Sequence, residues 1–340
     1  MRARVALDAH GSDENPGPEV AGALAAIAEA QTEIVLVGDQ PRLEAEVRKL
    51  RGNIPAELSF VHAPDVITME DAPAKARRKK DASMVRAFDL VKAHQAEAVV
   101  TAGNSGAAMM LGTLVVGRLP GVIRPAIVNH FPTIDGGTTI MLDMGANVDC
   151  KPEWLAQFAT MGSIYARSVL KIAEPRVGLV ANGTEEGKGS ESVRATHELL
   201  KSAAVKYIGL VEPHELFKGG CDVFVVDGFA GNLILKTTEG VVDAVFTLLK
   251  REIKARPLAM LGAMLAAPAF RAVKAKSDYD EYGAATLLGV DGAAFIGHGR
   301  SNPKAIKNAI KFARRMVESG ANEAIASGLA ANPPERISRG

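Results

Sequence analysis

Five stretches of the chain repeat one arrangement: a short apolar run, a turn rich in Gly, Asn, Ser or Asp, then helix-forming residues. They are DAHGSD at 8–13, TAGNSGA at 101–107, DMGANVDCKP at 143–152, NGTEEGKG at 182–189 and DGFAGN at 227–232. Glycine lets backbone N–H groups approach an anion closely, and a helix starting behind the turn adds positive potential. Asn and Ser side chains add neutral donors, and Lys188 adds a full positive charge. Such groups hold a phosphate or stabilise a developing oxyanion. Any one turn is better explained by turn-making alone, because Gly and Asn are favoured where a strand gives way to a helix. Five together favour ligand contact. Asp8, Asp143 and Asp227 end their apolar runs and are read as caps rather than metal ligands. His298, in GHGRSNP at 297–303, precedes another helix, where an imidazole can polarise a carbonyl or protonate a leaving group.

To converge, these turns need a common sheet. Short, continuously apolar runs occur at 4–8, 34–37, 58–62, 98–101, 138–142, 177–180, 207–210 and 223–226. Strands buried on both faces have this pattern, as in a mostly parallel sheet with helices on both faces. The fold class is therefore α/β. Helices are predicted at 18–30, 41–50, 152–170, 190–201, 233–254, 303–319 and 321–327. Ligands of open α/β sheets bind outside the carboxyl ends of the strands, so all five turns are expected at one sheet edge. The 340 residues are expected to form one catalytic unit in two lobes, with a frayed tail over 331–340.

Composition narrows the function. Forty Lys plus Arg against 39 Asp plus Glu give a net charge of +1, unlike the strongly basic balance of a nucleic-acid binder. Against that neutral total, KARRKK at 75–80 stands out, and Arg77, Arg78, Lys79 and Lys80 read equally as a surface that steers an acidic protein or as a solvated helix face. Two distant cysteines, Cys150 and Cys221, make no disulfide framework and fit a reducing cytoplasmic compartment. The opening apolar run is too short for a signal-peptide core. PLAMLGAMLAAPAF at 257–270 is too short to span a bilayer and has basic residues on both sides. It reads equally as a hairpin lying in a bilayer interface or as a helix pair at a subunit interface. No dinucleotide fingerprint is present, and the turn at 183–189 is one residue short of a P-loop. The turn at 103–106 lacks the spacing of a nucleophile elbow, and no zinc-protease helix is found. No metal and no cofactor are expected.

Seven motifs in order resemble the bacterial phosphate acyltransferase family: DAHGSD, ARRKKDASM, TAGNSGA, DMGANVDCKPE, RVGLVANGTEEGKG, VDGFAGNLILKTTEG and YGAATLLG with HGRS. His10, Ser12, Cys150, Ala284 and Arg300 depart from the family's pattern. The resemblance implies an isocitrate/isopropylmalate-dehydrogenase-like fold and transfer of a fatty acyl group from acyl carrier protein to inorganic phosphate. It further implies a homodimer, cytoplasmic and loosely attached to the membrane surface, that feeds a glycerol-3-phosphate acyltransferase. An acidic carrier protein is a natural partner for the run at 75–80.

On that footing, phosphate is assigned to the turns of Gly103, Asn104, Ser105 and Gly106 and of Gly183, Thr184 and Lys188. Asn147, Gly231 and Asn232 are assigned to the oxyanion or the phosphopantetheine arm, and His298 to the leaving thiolate. Three other readings compete: a phosphotransacetylase-like enzyme using acyl-CoA, a β-decarboxylating dehydrogenase, and a non-catalytic membrane scaffold.

Overall fold

The computed structural model describes residues 3–30, 32–276 and 283–331. The tail expected to fray lies outside them beyond Ala331. Eleven strands form one sheet: β1 (Arg4–Asp8), β2 (Glu33–Gly38), β3 (Leu58–His62), β4 (Ala98–Thr101), β5 (Ala126–Pro132), β6 (Thr138–Leu142), β7 (Arg176–Val180), β8 (Lys206–Val211), β9 (Val223–Val225), β10 (Ala285–Leu288) and β11 (Ala293–Ile296). Their order is β3-β2-β1-β4-β11-β10-β5-β6-β9-β7-β8. The α/β class is as expected, and most neighbours are parallel.

Three successive antiparallel pairings in the middle reverse the sheet's direction. β10 is antiparallel to both β11 and β5, and β5 is antiparallel to β6. The group β6-β9-β7-β8 therefore runs opposite to β3-β2-β1-β4-β11. This corrects the expectation of five turns at one edge. The turns after β1 and β4 leave one edge, and those after β6, β7 and β9 leave the other.

Helices cover both faces. Behind the sheet lie α1 (Gly17–Ala30), α2 (Gln40–Arg51), α6 (Pro152–Val169), α7 (Glu191–Lys201), α11 (Pro303–Glu318) and α12 (Ala321–Ala331). They share one continuous apolar cluster to which every strand contributes, including Leu7, Leu36, Val100, Val128, Leu142, Val177 and Phe295. The front layer is split. α4 (Ser83–Lys92) and α5 (Ser105–Leu111) cover one cluster around Phe88, Leu111 and Ala294. The start of α8 (Gly228–Lys254) covers a second, around Phe131, Phe224 and Leu235. Ile127 on β5 packs against both.

α8 begins five residues before the predicted helix at 233. Glycine's low helix propensity hides its first turn, but Asp227 caps it by accepting from Ala230 N at 2.8 Å. Beyond Leu235 the helix leaves the core, exposing Val241, Val245 and Leu248. The stretch at 257–270 folds into α9 (Pro257–Leu265) and the start of α10 (Ala267–Lys276), with Leu258 86% and Leu265 80% exposed. No helix among the described residues is long and apolar enough to cross a membrane.

Candidate active site

The split in the front layer opens a cleft of about 660 Å³. One wall is the start of α5, with Ser105, Gly106 and Met109. The floor is β5, with Ile127, Asn129 and Phe131, and the turn after β11 brings His298, Arg300 and Ser301. The other wall is α8, which presents Asn232, Leu235, Lys236, Glu239 and Asp243. That spacing of three, four, seven and eleven residues puts them on one helical stripe.

The Glu239 carboxylate organises the charges. Its side chain is only 12% exposed, and its Oε2 lies 2.9 Å from Lys236 Nζ. Its Oε1 faces His298 Nε2 at 3.9 Å. The imidazole backbone is held by Ser301, whose Oγ accepts from His298 N at 3.1 Å.

Asp143 shapes the wall beside α8. Oδ1 accepts from Ile127 N at 2.8 Å and from Ala146 N at 3.1 Å. Oδ2 accepts from Asn147 N at 2.6 Å and from Asn147 Nδ2 at 2.9 Å. Burial pushes this carboxyl upward in pKa, and the N–H groups around it push back. The loop places Gly145 at the cleft with φ +122°, a left-handed conformation that favours glycine. α8 then docks on this loop at very short range. A Cβ on Gly231 would sit 2.0 Å from Asp143 O, and one on Gly228 would sit 2.5 Å from Asn147 O.

Of the residues singled out from sequence, the cleft unites Ser105, Gly106, Asn232 and His298. Asn104 lies beneath the wall. Its Oδ1 caps α5 through Ala107 N at 3.0 Å, and its Nδ2 donates to Thr68 O and Asp71 O, each at 3.0 Å. Gly103 is buried behind it against Met84. Asn147 spends its amide N–H groups on Pro125 O and Asp143. Gly231 is buried at the contact just described. Gly183, Thr184 and Lys188 do not line the cleft. Their loop follows β7 and leads into α7, where Ser192 Oγ donates to Cys150 O at 2.9 Å. Burial pushes the Cys150 thiol up to about 12, so it is no nucleophile near neutral pH.

The cationic run borders the cleft. α3 (Pro73–Ala76) packs on α5, and a Cβ on Gly106 would meet Pro73 Cγ at 2.7 Å. Arg77, Arg78 and Lys80 are exposed. Lys79 is committed instead to Asp71 Oδ2 at 2.7 Å and Val66 O at 2.9 Å.

Residues 3–324 match the family model described as "Fatty acid synthesis protein". A phosphate acyltransferase from Syntrophotalea carbinolica is 48% identical over 334 residues, 97% of this chain and 95% of that relative. One from Geobacter sulfurreducens is 49% identical over 325 residues, 95% and 93% of the two chains. This chain belongs to the phosphate acyltransferase family. Solved structures share its fold. A phosphotransacetylase from Streptococcus pyogenes aligns with TM-score 0.63 at 15% identity over 93% of this chain and 94% of its own. A 4-hydroxythreonine-4-phosphate dehydrogenase from Klebsiella pneumoniae aligns with TM-score 0.52 at 14% identity over 93% and 98%.

In this phosphate acyltransferase family member, the cleft also holds residues that sequence reasoning did not single out: Asn129, Lys236, Glu239 and Asp243. The α8 trio had a legible signal, since it repeats at helical spacing after Asn232 inside VDGFAGNLILKTTEG and just beyond it. Asn129 had none, because its strand was not recognised.

Proposed function

We propose that the chain transfers a fatty acyl group from acyl carrier protein to inorganic phosphate, giving acyl-phosphate and free carrier protein for phospholipid synthesis. The observation that carries this reading is a cleft in which Ile127 and Phe131 lie beside uncommitted neutral donors. Among the described residues, the side chains of Ser105, Asn129 and Asn232 make no hydrogen bond. They are free for a phosphate and a thioester carbonyl.

A phosphate oxygen attacks the thioester carbon, the tetrahedral oxyanion collapses, and the C–S bond breaks. Phosphate is already nucleophilic near neutral pH, so placing it beside the carbonyl supplies much of the rate. Ser105 and the backbone of Gly106 hold phosphate, and Asn232 donates to the oxyanion. His298, facing the Glu239 carboxylate, protonates the departing sulfur. Lys188 acts from outside the cleft by drawing the anion toward it.

Acyl-phosphate trapped with hydroxylamine tests the reaction. No hydroxamate above a phosphate-free control would sink it. Asn232→Ala should lower kcat by about 100-fold, the scale of one lost oxyanion donor. Lys188→Ala should lower kcat/KM for phosphate most at low salt. Unchanged turnover at low phosphate removes Lys188 from the mechanism.

The acidic carrier protein docks on Arg77, Arg78 and Lys80 at the cleft rim. The apolar sides of α8, α9 and α10 serve a homodimer and loose attachment to the cytoplasmic membrane surface, beside a glycerol-3-phosphate acyltransferase that consumes the product. Leu258→Glu combined with Leu265→Glu should abolish co-sedimentation with anionic vesicles. Undiminished co-sedimentation would remove α9 from the attachment.

A further inference from the structure

Among the described residues, the cleft is lined by two basic side chains, Lys236 and Arg300, with different commitments. Lys236 Nζ already lies 2.9 Å from Glu239 Oε2, which neutralises it. Arg300 lines the same cleft, yet among the described residues its guanidinium makes no hydrogen bond or ion pair. Its backbone is well held. Gly299 O accepts from Asp13 N at 2.7 Å, and Ser301 N donates to His298 O at 2.9 Å. Asn302 Oδ1 caps α11 by accepting from Ala305 N at 3.0 Å.

Among the described residues, two carboxylates line the cleft, Glu239 and Asp243, and both oppose an anion that enters. Lys236 offsets only the first. Arg300 therefore supplies the free positive charge that an anion needs there. A guanidinium presents a planar fork of donors that matches two oxygens of a phosphate group, and it stays charged at every working pH. On the acyl-transfer reading above, we infer that Arg300 binds a phosphate group within the cleft. Two sources share that chemistry: inorganic phosphate and the phosphodiester of the phosphopantetheine arm. Arg300 is a binding residue, and no bond forms or breaks at it.

Kinetics of the full chain and of Arg300→Ala and Arg300→Lys test this with two donors. One is acyl-acyl carrier protein. The other is an acyl-N-acetylcysteamine thioester, which has no phosphodiester. If inorganic phosphate is the ligand, Arg300→Ala raises its KM by about 10- to 100-fold with both donors, and Arg300→Lys recovers part of the loss. If the arm is the ligand, KM rises only for the carrier-protein donor. Phosphate and donor KM values all within about twofold of the parent overturn the assignment. Phosphorus NMR titration of inorganic phosphate, free of turnover, keeps it separate from the reaction itself. A parent chain that binds phosphate through Arg300 but forms no acyl-phosphate would fail the reaction and leave the site standing.

Discussion

Asp143→Ala is expected to destabilise the chain by about 3 kcal/mol or more and to abolish most activity. The side chain is fully buried and receives four N–H groups, three from backbone and one from Asn147. Alanine would leave these donors unsatisfied in the protein interior, at about 1–3 kcal/mol each before relaxation. The functional loss follows from position. The same loop supplies Gly145 to the cleft and forms the surface on which Gly228 and Gly231 seat α8. If it relaxes, Asn232, Lys236 and Glu239 move together. Asp143→Asn keeps the shape but turns an N–H toward other N–H groups, so it should also lose stability. Urea midpoints and hydroxamate assays read both effects. Wild-type midpoints and turnover in both variants would show that the loop stands without this carboxylate.

The second large effect is a pair of opposing pH dependences. Glu19 is wholly buried, and burial raises its pKa from 4.5 to about 7. Between those values the folded chain keeps a proton that the unfolded chain has lost, so stability falls as pH rises. His130 is also buried, with Nε2 3.1 Å from Tyr165 Oη, and burial lowers its pKa from 6.5 to about 3. Between those values the unfolded chain gains a proton that the folded chain refuses, so stability falls as pH drops. Each contributes a slope of up to about 1.4 kcal/mol per pH unit. From pH 4.5 to 6.5 the windows overlap and the slopes offset one another. Relative to the parent, Glu19→Gln should gain stability as pH rises through this range, and His130→Gln should lose it. Urea midpoints at the two ends of the range measure both. A variant whose difference from the parent stays flat with pH would remove that residue from the account.

The strands that were legible and those that were not divide along a physical line. β1, β2, β4, β6, β7 and β9 lie between helices and show as unbroken apolar runs. β5, AIVNHFP, is interrupted by Asn129 and His130, because one faces the cleft and the other sits in a polar contact with Tyr165. β10, ATLL, and β11, AAFI, are four residues each with one β-branched residue apiece, against three in β4, AVVT, so neither registers as a strand. These three strands turn the sheet's direction, so missing them also misplaced the turns. For the site, Ser105 and Asn232 were legible because each lies in a Gly/Asn-rich stretch at the start of a helix, Ser105 as the first residue of α5 and Asn232 as the fifth of α8. Asn104 and Asn147 carry the same signature, but they spend their side chains within the fold. Residue type alone does not separate a donor offered to a ligand from one consumed by a neighbouring carbonyl.

The unbroken apolar layer behind the sheet has a mechanical consequence. The cleft is a seam in the front packing, while behind it side chains from all eleven strands remain close-packed. Prising the seam wider would shear that rear layer, which close packing resists. The gap between α5 and α8 is thus set when the chain folds. The two substrates enter a slot of preset width, and little reorganisation is left for the moment of reaction.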